Sequence, residues 1–363
     1  MPSSKRILVI KLKQPGDVLL STPVLTALKE AWPEARVTYL VPRGTEDMVV
    51  DHPRLDGLLV ADRTGQSWGQ AWRFIRDLRT RRFEVVLELS GGDRGAFYTF
   101  LSGARERLGF ERAGKSAWQR LFFTRLLPRP PLNLHLVEAN LEILRGLGLE
   151  PQNPRLQFFW NQAAEARVQE LLASRGLTAG GFVVIHPGAG WLFKCWTPEG
   201  YAGVLDAIQG RWGLPVVLTA SRAPLEAELV AAILARAGTG PINLAGLLTL
   251  KELGALIAKA RFFFGVDSAP MHLAAAVNTP AVALFGPSGD FNWGPWGQGH
   301  LVIKKDWDCV PCGRDGCDGS KISRCLTELS PAEVLEKMET WGRGAGVADP
   351  LTILPQTPTP NPL

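Results

Sequence analysis

Short apolar runs alternate with stretches of helical periodicity along most of this 363-residue chain. Arg6–Leu12 reads as a strand, Pro23–Ala31 as a helix, Arg36–Val41 as a strand and Leu58–Val60 as a weaker one. Ala71–Arg81 has Trp72, Ile75 and Leu78 at helix spacing, Phe83–Leu89 is a β-branched strand, and Leu134–Leu147 is helical. The segment 148–160, GLEPQNPRLQFFW, reads as a linker or domain edge. A second series follows it. Phe182–His186, Pro215–Thr219, Phe262–Val266 and Ala281–Phe285 are strands, and Gly200–Gln209, Leu225–Arg236 and Lys251–Lys259 are helices. Strands alternating with helices imply parallel sheets with right-handed crossovers. The pattern therefore predicts two doubly wound α/β domains with ligands at the carboxyl ends of their strands, in the cleft between domains. Pro331–Trp341 has the pattern of one last helix, and the Pro-, Gly- and Thr-rich stretch after it has little to bury, so disorder is expected there.

The first turn sharpens the question of ligand. In LVIKLKQPGDVLLSTP, residues 8–23, Gly16 stands alone and is followed at once by Asp17. Neither half carries G-x-G-x-x-G between its first strand and helix, which disfavours a nicotinamide-dependent oxidoreductase. Thr22 before Pro23 reads as the cap of the following helix, which leaves Asp17 without that duty.

Composition narrows the class. Hydrophobic residues make up 46% and charged residues 21%, as in an ordinary globular protein. No run approaches the ~18 apolar residues of a membrane span. Only four apolar residues, Ile7–Ile10, lead up to Lys11, too few for a signal-peptide core, so a cytoplasmic location is expected. From Arg63 to Arg129 there are 13 Arg and one Lys against six acids, while the rest of the chain is slightly acidic. A field of that sign suits an anionic partner, whether phosphorylated molecule, lipid head group or nucleic acid; a solvated surface has the same composition. Five cysteines are too few for a disulfide scaffold. Four of them follow the pattern Cys309-x2-Cys312-x4-Cys317-x7-Cys325, open to a thiolate metal site, reduced thiols or a labile disulfide.

Two further segments carry chemistry. In FFFGVDSAPMHLAAAVNTPAVALFGPSG, residues 262–289, Asp267 and Ser268 end a strand and Pro270 suits the first turn of a helix. The amino end of such a helix attracts phosphate, and N-capping accounts for the same residues. In VIHPGAGWLFKCWTPEGY, residues 184–201, a strand empties into a loop where Gly188 and Gly190 let backbone N–H groups approach a ligand. Lys194 offers a mobile charge to a phosphate oxygen, or is an ordinary surface lysine.

Together, GDVLLSTPVLTALKEAWPEARVTYL, HPGAGWLFKCWTPEGY and GVDSAPMHLAAAVNTPAVALFGPS resemble glycosyltransferase family 9, the ADP-heptose:lipopolysaccharide heptosyltransferases. The cysteine-rich CVPCGRDGCDGSKISRCL has the look of family members too. The resemblance spans residues 6–342, and the opening signature is most similar to the heptosyltransferase III branch. It implies a GT-B architecture of two facing Rossmann-like domains. Residues 1–155 would bind the acceptor and 156–330 the nucleotide-sugar; 331–342 would form a helix crossing back to the first domain, and 343–363 a disordered tail. It implies an inverting transfer from ADP-heptose to the inner core of lipopolysaccharide, with Asp17 as general base and no cofactor or metal. Lys194, with Gly188, Ala189 and Gly190, matches the phosphate loop. Asp267, Ser268 and Ala269 match the second phosphate contact, with Asp267 bonded to hydroxyl or backbone groups; His272 is a site candidate or a packed helix histidine. Glu226 falls where a family carboxylate binds ribose. Lys11 and Lys13 are the acceptor-binding candidates. The implied partners are ADP-heptose, a lipid A–Kdo core and the inner membrane leaflet, with no nucleic acid, for a monomeric protein. Ala189 and Gly190 depart from the hydroxyl residues of several members, which leaves room for another nucleotide-sugar, a non-lipid acceptor, or a binding protein without turnover.

Overall fold

The computed structural model describes residues 5–62, 67–112, 119–152 and 154–344. They form two compact units that divide between Phe159 and Trp160. Of the expected tail, residues 345–363 lie outside the described residues.

The first unit is built on six strands: β1 (Arg6–Ile10), β2 (Arg36–Pro42), β3 (Gly57–Ala61), β4 (Val85–Glu88), β5 (Glu106–Phe110) and β6 (Arg125–Leu127). All pair in parallel, in the order β3-β2-β1-β4-β5-β6. The second unit has β7 (Val183–His186), β8 (Val216–Leu218), β9 (Ile242–Asn243), β10 (Phe262–Val266), β11 (Ala281–Leu284) and β12 (Leu301–Ile303). Its parallel order, β12-β11-β10-β7-β8-β9, is the same topology read from the other edge. Each sheet therefore has a switch point, between β1 and β4 in one unit and between β7 and β10 in the other. At such a point the loops leaving two adjacent strands part to opposite sides and open a crevice.

Central strands covered on both faces explain the unbroken apolar runs seen in sequence. Ile7–Ile10 and Phe262–Val266 are buried throughout. In the second unit, Tyr201, Leu205 and Ile208 of the helix Pro198–Trp212 pack with Val183, Phe264 and Val282 of the sheet. The last helix, Pro331–Gly344, adds Val334 and Met338 to that same core, with Leu335 and Trp341 against it. Its apolar stripe is thus buried within the second unit.

Several elements differ from the sequence reading. The turn after β1 holds a five-residue helix, Pro15–Leu19, with Pro15 at its start and Asp17 in its first turn. Thr22 is no cap: its Oγ1 donates to Leu19 O at 2.8 Å, and Ser21 holds the cap position of helix Thr22–Ala31 while its Oγ donates to Val18 O. A helix at Asp93–Leu101, another at Gln162–Ala173, and the strands β5, β6, β9 and β12 add to the predicted elements. Of the residues at helix spacing in Ala71–Arg81, Trp72 is 70% exposed and Leu78 fully buried.

Candidate functional site

At the first switch point a lysine is buried and an acid is presented. Lys11 follows β1 and is only 2% exposed; its Nζ donates to Leu89 O at 3.1 Å and to Asn140 Oδ1 at 2.8 Å. Asn140, on helix Leu136–Arg145, in turn donates to Leu20 O at 3.1 Å. Burial lowers the Lys11 pKa to about 8, against the opposing pull of Asp17 and Glu88. Glu88, at the end of β4 and paired with Ile10, is equally buried. Burial pushes its carboxyl up, offset by the N–H groups of Ser90 (2.8 Å) and Gly91 (3.0 Å) and by Lys11. A side chain on Gly95 would run into the Glu88 carboxylate, so this acid dictates a glycine in the next helix. Above this network Asp17 is partly exposed, with Lys13 and Gln14 exposed beside it. Lys11, the expected acceptor-binding cation, thus has its amine turned into the fold; Lys13 does not.

The second switch point has the opposite arrangement. Lys194 closes a 3-10 turn after β7, and its Nζ donates to Asp267 Oδ2 at 2.5 Å. The Lys194 side chain is 23% exposed and that of Asp267, at the end of β10, is 7% exposed. Two segments 73 residues apart are joined by this pair, which gives Asp267 the role of orienting a cation. Ser268 precedes helix Ala269–Ala276, and its buried Oγ makes no hydrogen bond among the described residues. Ala269 opens that helix, and His272, one turn in, is 3% exposed.

Glu226 stands on the other side of the β7 loop, in the first turn of helix Pro224–Leu234. Its Oε2 accepts from Ser221 N–H at 2.6 Å and lies 3.5 Å from His186 Nε2. Burial raises the Glu226 pKa, but the bonds and charge of His186 and the Ser221 N–H outweigh it and bring the value to about 2. A Cβ on Gly188 would overlap the Glu226 side chain, so the glycine admits the acid. Ala189 packs partly buried on the core, and Gly190 is exposed with open space where a side chain would stand. Around one loop the structure therefore gathers Gly188, Ala189, Gly190 and Lys194 with Glu226 and Asp267.

Residues not anticipated from sequence complete these arrangements: Glu88 and Asn140 in the first unit, His186 and Ser323 in the second. His186 bridges Glu226 to Thr219, its Nδ1 lying 3.1 Å from Thr219 Oγ1. Ser323 Oγ donates to Phe193 O at 2.6 Å, tying the Lys194 turn to the cysteine-rich segment. A lone acid in the apolar run VVLELS and a histidine ending VVIH were the available signals. All four clustered cysteines are free thiols, Cys309 and Cys312 exposed and Cys325 buried. Burial, and then the proximity of Cys317, Cys312 and Cys309, push the Cys325 thiol up to about 11. Among the described residues no three His, Cys, Asp or Glu side chains converge to hold a metal ion, and no helix is long and apolar enough to cross a membrane.

Comparison with known proteins agrees with the fold and the motifs. The chain is 33% identical over 292 residues to lipopolysaccharide heptosyltransferase 3 of Escherichia coli, covering 79% of this chain and 85% of that one. The crystal structure of a glycosyl transferase family 9 protein from Veillonella parvula superposes with a TM-score of 0.82 at 25% identity, over 94% of this chain and 98% of that one. Escherichia coli heptosyltransferase WaaC, solved with ADP, has a TM-score of 0.73 at 20% identity, over 93% and 99% of the two chains. The GT-B class expected from the resemblance, two Rossmann-like doubly wound domains, is the fold of these neighbours and of this chain. A family model described as glycosyltransferase family 9 (heptosyltransferase) matches residues 71–322. The chain is a glycosyltransferase and belongs to family 9.

Proposed function

We propose that this protein transfers a heptosyl group from ADP-heptose to a sugar hydroxyl of the lipopolysaccharide inner core, with inversion at the anomeric carbon. The observation that carries the donor half is the Lys194–Asp267 pair at the β7/β10 switch point, beside the Ser268 hydroxyl, which has no partner among the described residues, and the start of helix Ala269–Ala276. A lysine steadied by a buried carboxylate is a preset cation for a diphosphate, and the amino end of a helix favours the same charge. Glu226, held ionised, suits the two hydroxyls of a ribose. His272, 3% exposed one turn into the same helix, is buried beside this site.

In the proposed reaction the acceptor hydroxyl attacks C1 on the face opposite the bond to ADP. The new C1–O bond forms as the bond to the diphosphate oxygen breaks, and the pair of electrons leaves with ADP. Lys194 stabilises the charge growing on the diphosphate, and the Asp17 carboxylate takes the acceptor's proton. Lys13 is the acceptor-facing cation, while Lys11 supports the turn from below. No step requires a metal or a cofactor. We further infer that the enzyme works as a monomer, on a lipid A–Kdo acceptor at the cytoplasmic face of the inner membrane.

A second reading, transfer from another nucleotide-sugar, draws on the open space at Gly190, where the loop has no side chain to contact a donor. A panel of ADP-heptose and of ADP-, UDP- and GDP-hexoses with defined truncated core acceptors decides between them. Transfer from ADP-heptose alone supports the first reading; preference for a hexose donor supports the second; tight donor binding without transfer from any sugar overturns both.

A further inference from the structure

The basic surplus of the first unit is attached to an aromatic surface that the transfer mechanism leaves unused. Helix Trp68–Thr80 is fixed at its start by reciprocal bonds, Gln70 N–H to Ser67 Oγ and Ser67 N–H to Gln70 Oε1. Its inner face is anchored by fully buried Leu78 and by Phe74, whose ring lies 5.1 Å from Tyr98 on helix Asp93–Leu101. A well-anchored helix nonetheless leaves Trp68 90% and Trp72 70% exposed. At 100° per residue, Trp68, Trp72, Arg76 and Arg79 fall in a stripe about 80° wide, with Arg73 alongside. All three arginines are exposed, and none has an ion pair among the described residues. The helix's one acid, Asp77, lies off the stripe and is paired with Arg81 at 3.2 Å. The neighbouring helix adds Phe97 and Phe100, each about half exposed, and the Phe100 ring meets Phe122 at 5.6 Å.

We propose that this face, led by Trp68, Trp72, Arg76 and Arg79, docks the protein onto an anionic lipid bilayer. Indole rings settle at the head-group level, where one edge is apolar and the other wet. Guanidinium groups pair with lipid phosphates, and each basic residue held near such a surface strengthens binding about fivefold at moderate salt. A 13-residue helix is about 20 Å long and lies in the plane of the interface without crossing it. Charge complementarity selects this occupant: exposed tryptophans interleaved with arginines that have no ion pair among the described residues meet both demands of an anionic interface. The inference extends the lipid-acceptor reading by naming the surface, and its test needs no acceptor.

The full-length protein is sedimented with phosphatidylcholine vesicles, with and without phosphatidylglycerol, at low and high salt. Binding is expected only with the anionic lipid, to be lost at high salt, and to fall about tenfold or more for Trp68→Ala/Trp72→Ala and for Arg76→Gln/Arg79→Gln. Circular dichroism shows whether the variants keep their fold, and transfer to a water-soluble core oligosaccharide is expected to be unchanged in them. Failure of the wild type to bind anionic vesicles, or undiminished binding by both folded variants, overturns the proposal. So does self-association, or binding to single-stranded RNA, that the tryptophan substitutions abolish while vesicle binding persists. Vesicle binding by a protein that transfers no heptose would sink the transfer reading alone.

Discussion

The two switch points share one topology and invert one another's charges. In the first unit Lys11 is the buried member, 2% exposed, and Asp17 the partly exposed one. In the second, the Asp267 side chain is buried at 7% exposure and that of Lys194 stands out at 23%. The buried partner in each case is bonded: Lys11 to Leu89 O and Asn140, Asp267 to Lys194. A charge taken out of water needs such bonds, and once they are made it can steady the group above it. One crevice thereby presents an acid and the other a cation. On the proposed reaction, the same fold, used twice, serves once for removing a proton and once for holding a leaving anion.

The sharpest way to break this contrast is at the presented groups. Asp17→Asn is expected to lower transfer by ~10²–10⁴-fold while ADP binding, followed by calorimetry, stays near that of the wild type. Turnover at the wild-type rate would remove Asp17 from the proton transfer. Lys194→Ala is expected to weaken donor binding by about 10- to 100-fold, since a charge-assisted bond to the diphosphate is worth roughly 1.5–3 kcal/mol. It also leaves Asp267 buried without its cation. Adding Asp267→Asn to Lys194→Ala is therefore expected to recover part of the lost thermal stability; strict additivity in melting experiments would argue against the pair.

The buried members give smaller effects. Lys11→Met leaves Leu89 O and Asn140 Oδ1 unpaired, at about 1–3 kcal/mol of stability in denaturant titrations. Its pH dependence has a defined sign. With the folded pKa near 8 and the ordinary value at 10.5, the unfolded chain holds more protons between those limits. The contribution of Lys11 to stability thus rises with pH across that window, and the gap between wild type and Lys11→Met should widen there. Glu226 behaves in the same sense, in a more acidic window. Its carboxyl is held at about 2 against an ordinary 4.5, so its stabilisation is complete above 4.5 and fades as the pH falls towards 2. Glu226→Gln is expected to cost about 1 kcal/mol at neutral pH and to converge on the wild type in acid. A constant difference between the two across that range would mean that His186 and Ser221 do not hold the carboxylate ionised.

How much of this was legible beforehand depended on how local the cause was. Phe262–Val266 was read to the residue because a central strand, covered on both faces, is apolar throughout. The edge strands β6, β9 and β12 were missed: two or three residues paired on one side only leave little pattern to see. The helix Pro15–Leu19 was hidden behind a Pro-Gly pair that suggests a turn, although proline is at home in the first turn of a helix. Trp72 shows a different limit of the pattern. Periodicity locates the stripe of a helix but is blind to whether a neighbour covers its edge, and here Phe74 and Leu78 are covered while Trp72 is not.

The alternation of central strands with helices, the three motif segments and the membership in family 9 were determined by the sequence itself, because each rests on residues close together along the chain. Which charged groups are sunk and which are offered was decided only by tertiary structure. Lys11 meets Asn140 across 129 positions and Lys194 meets Asp267 across 73. Burial and pairing at such separations are created by the packing of sheet against helix, and no local pattern records them.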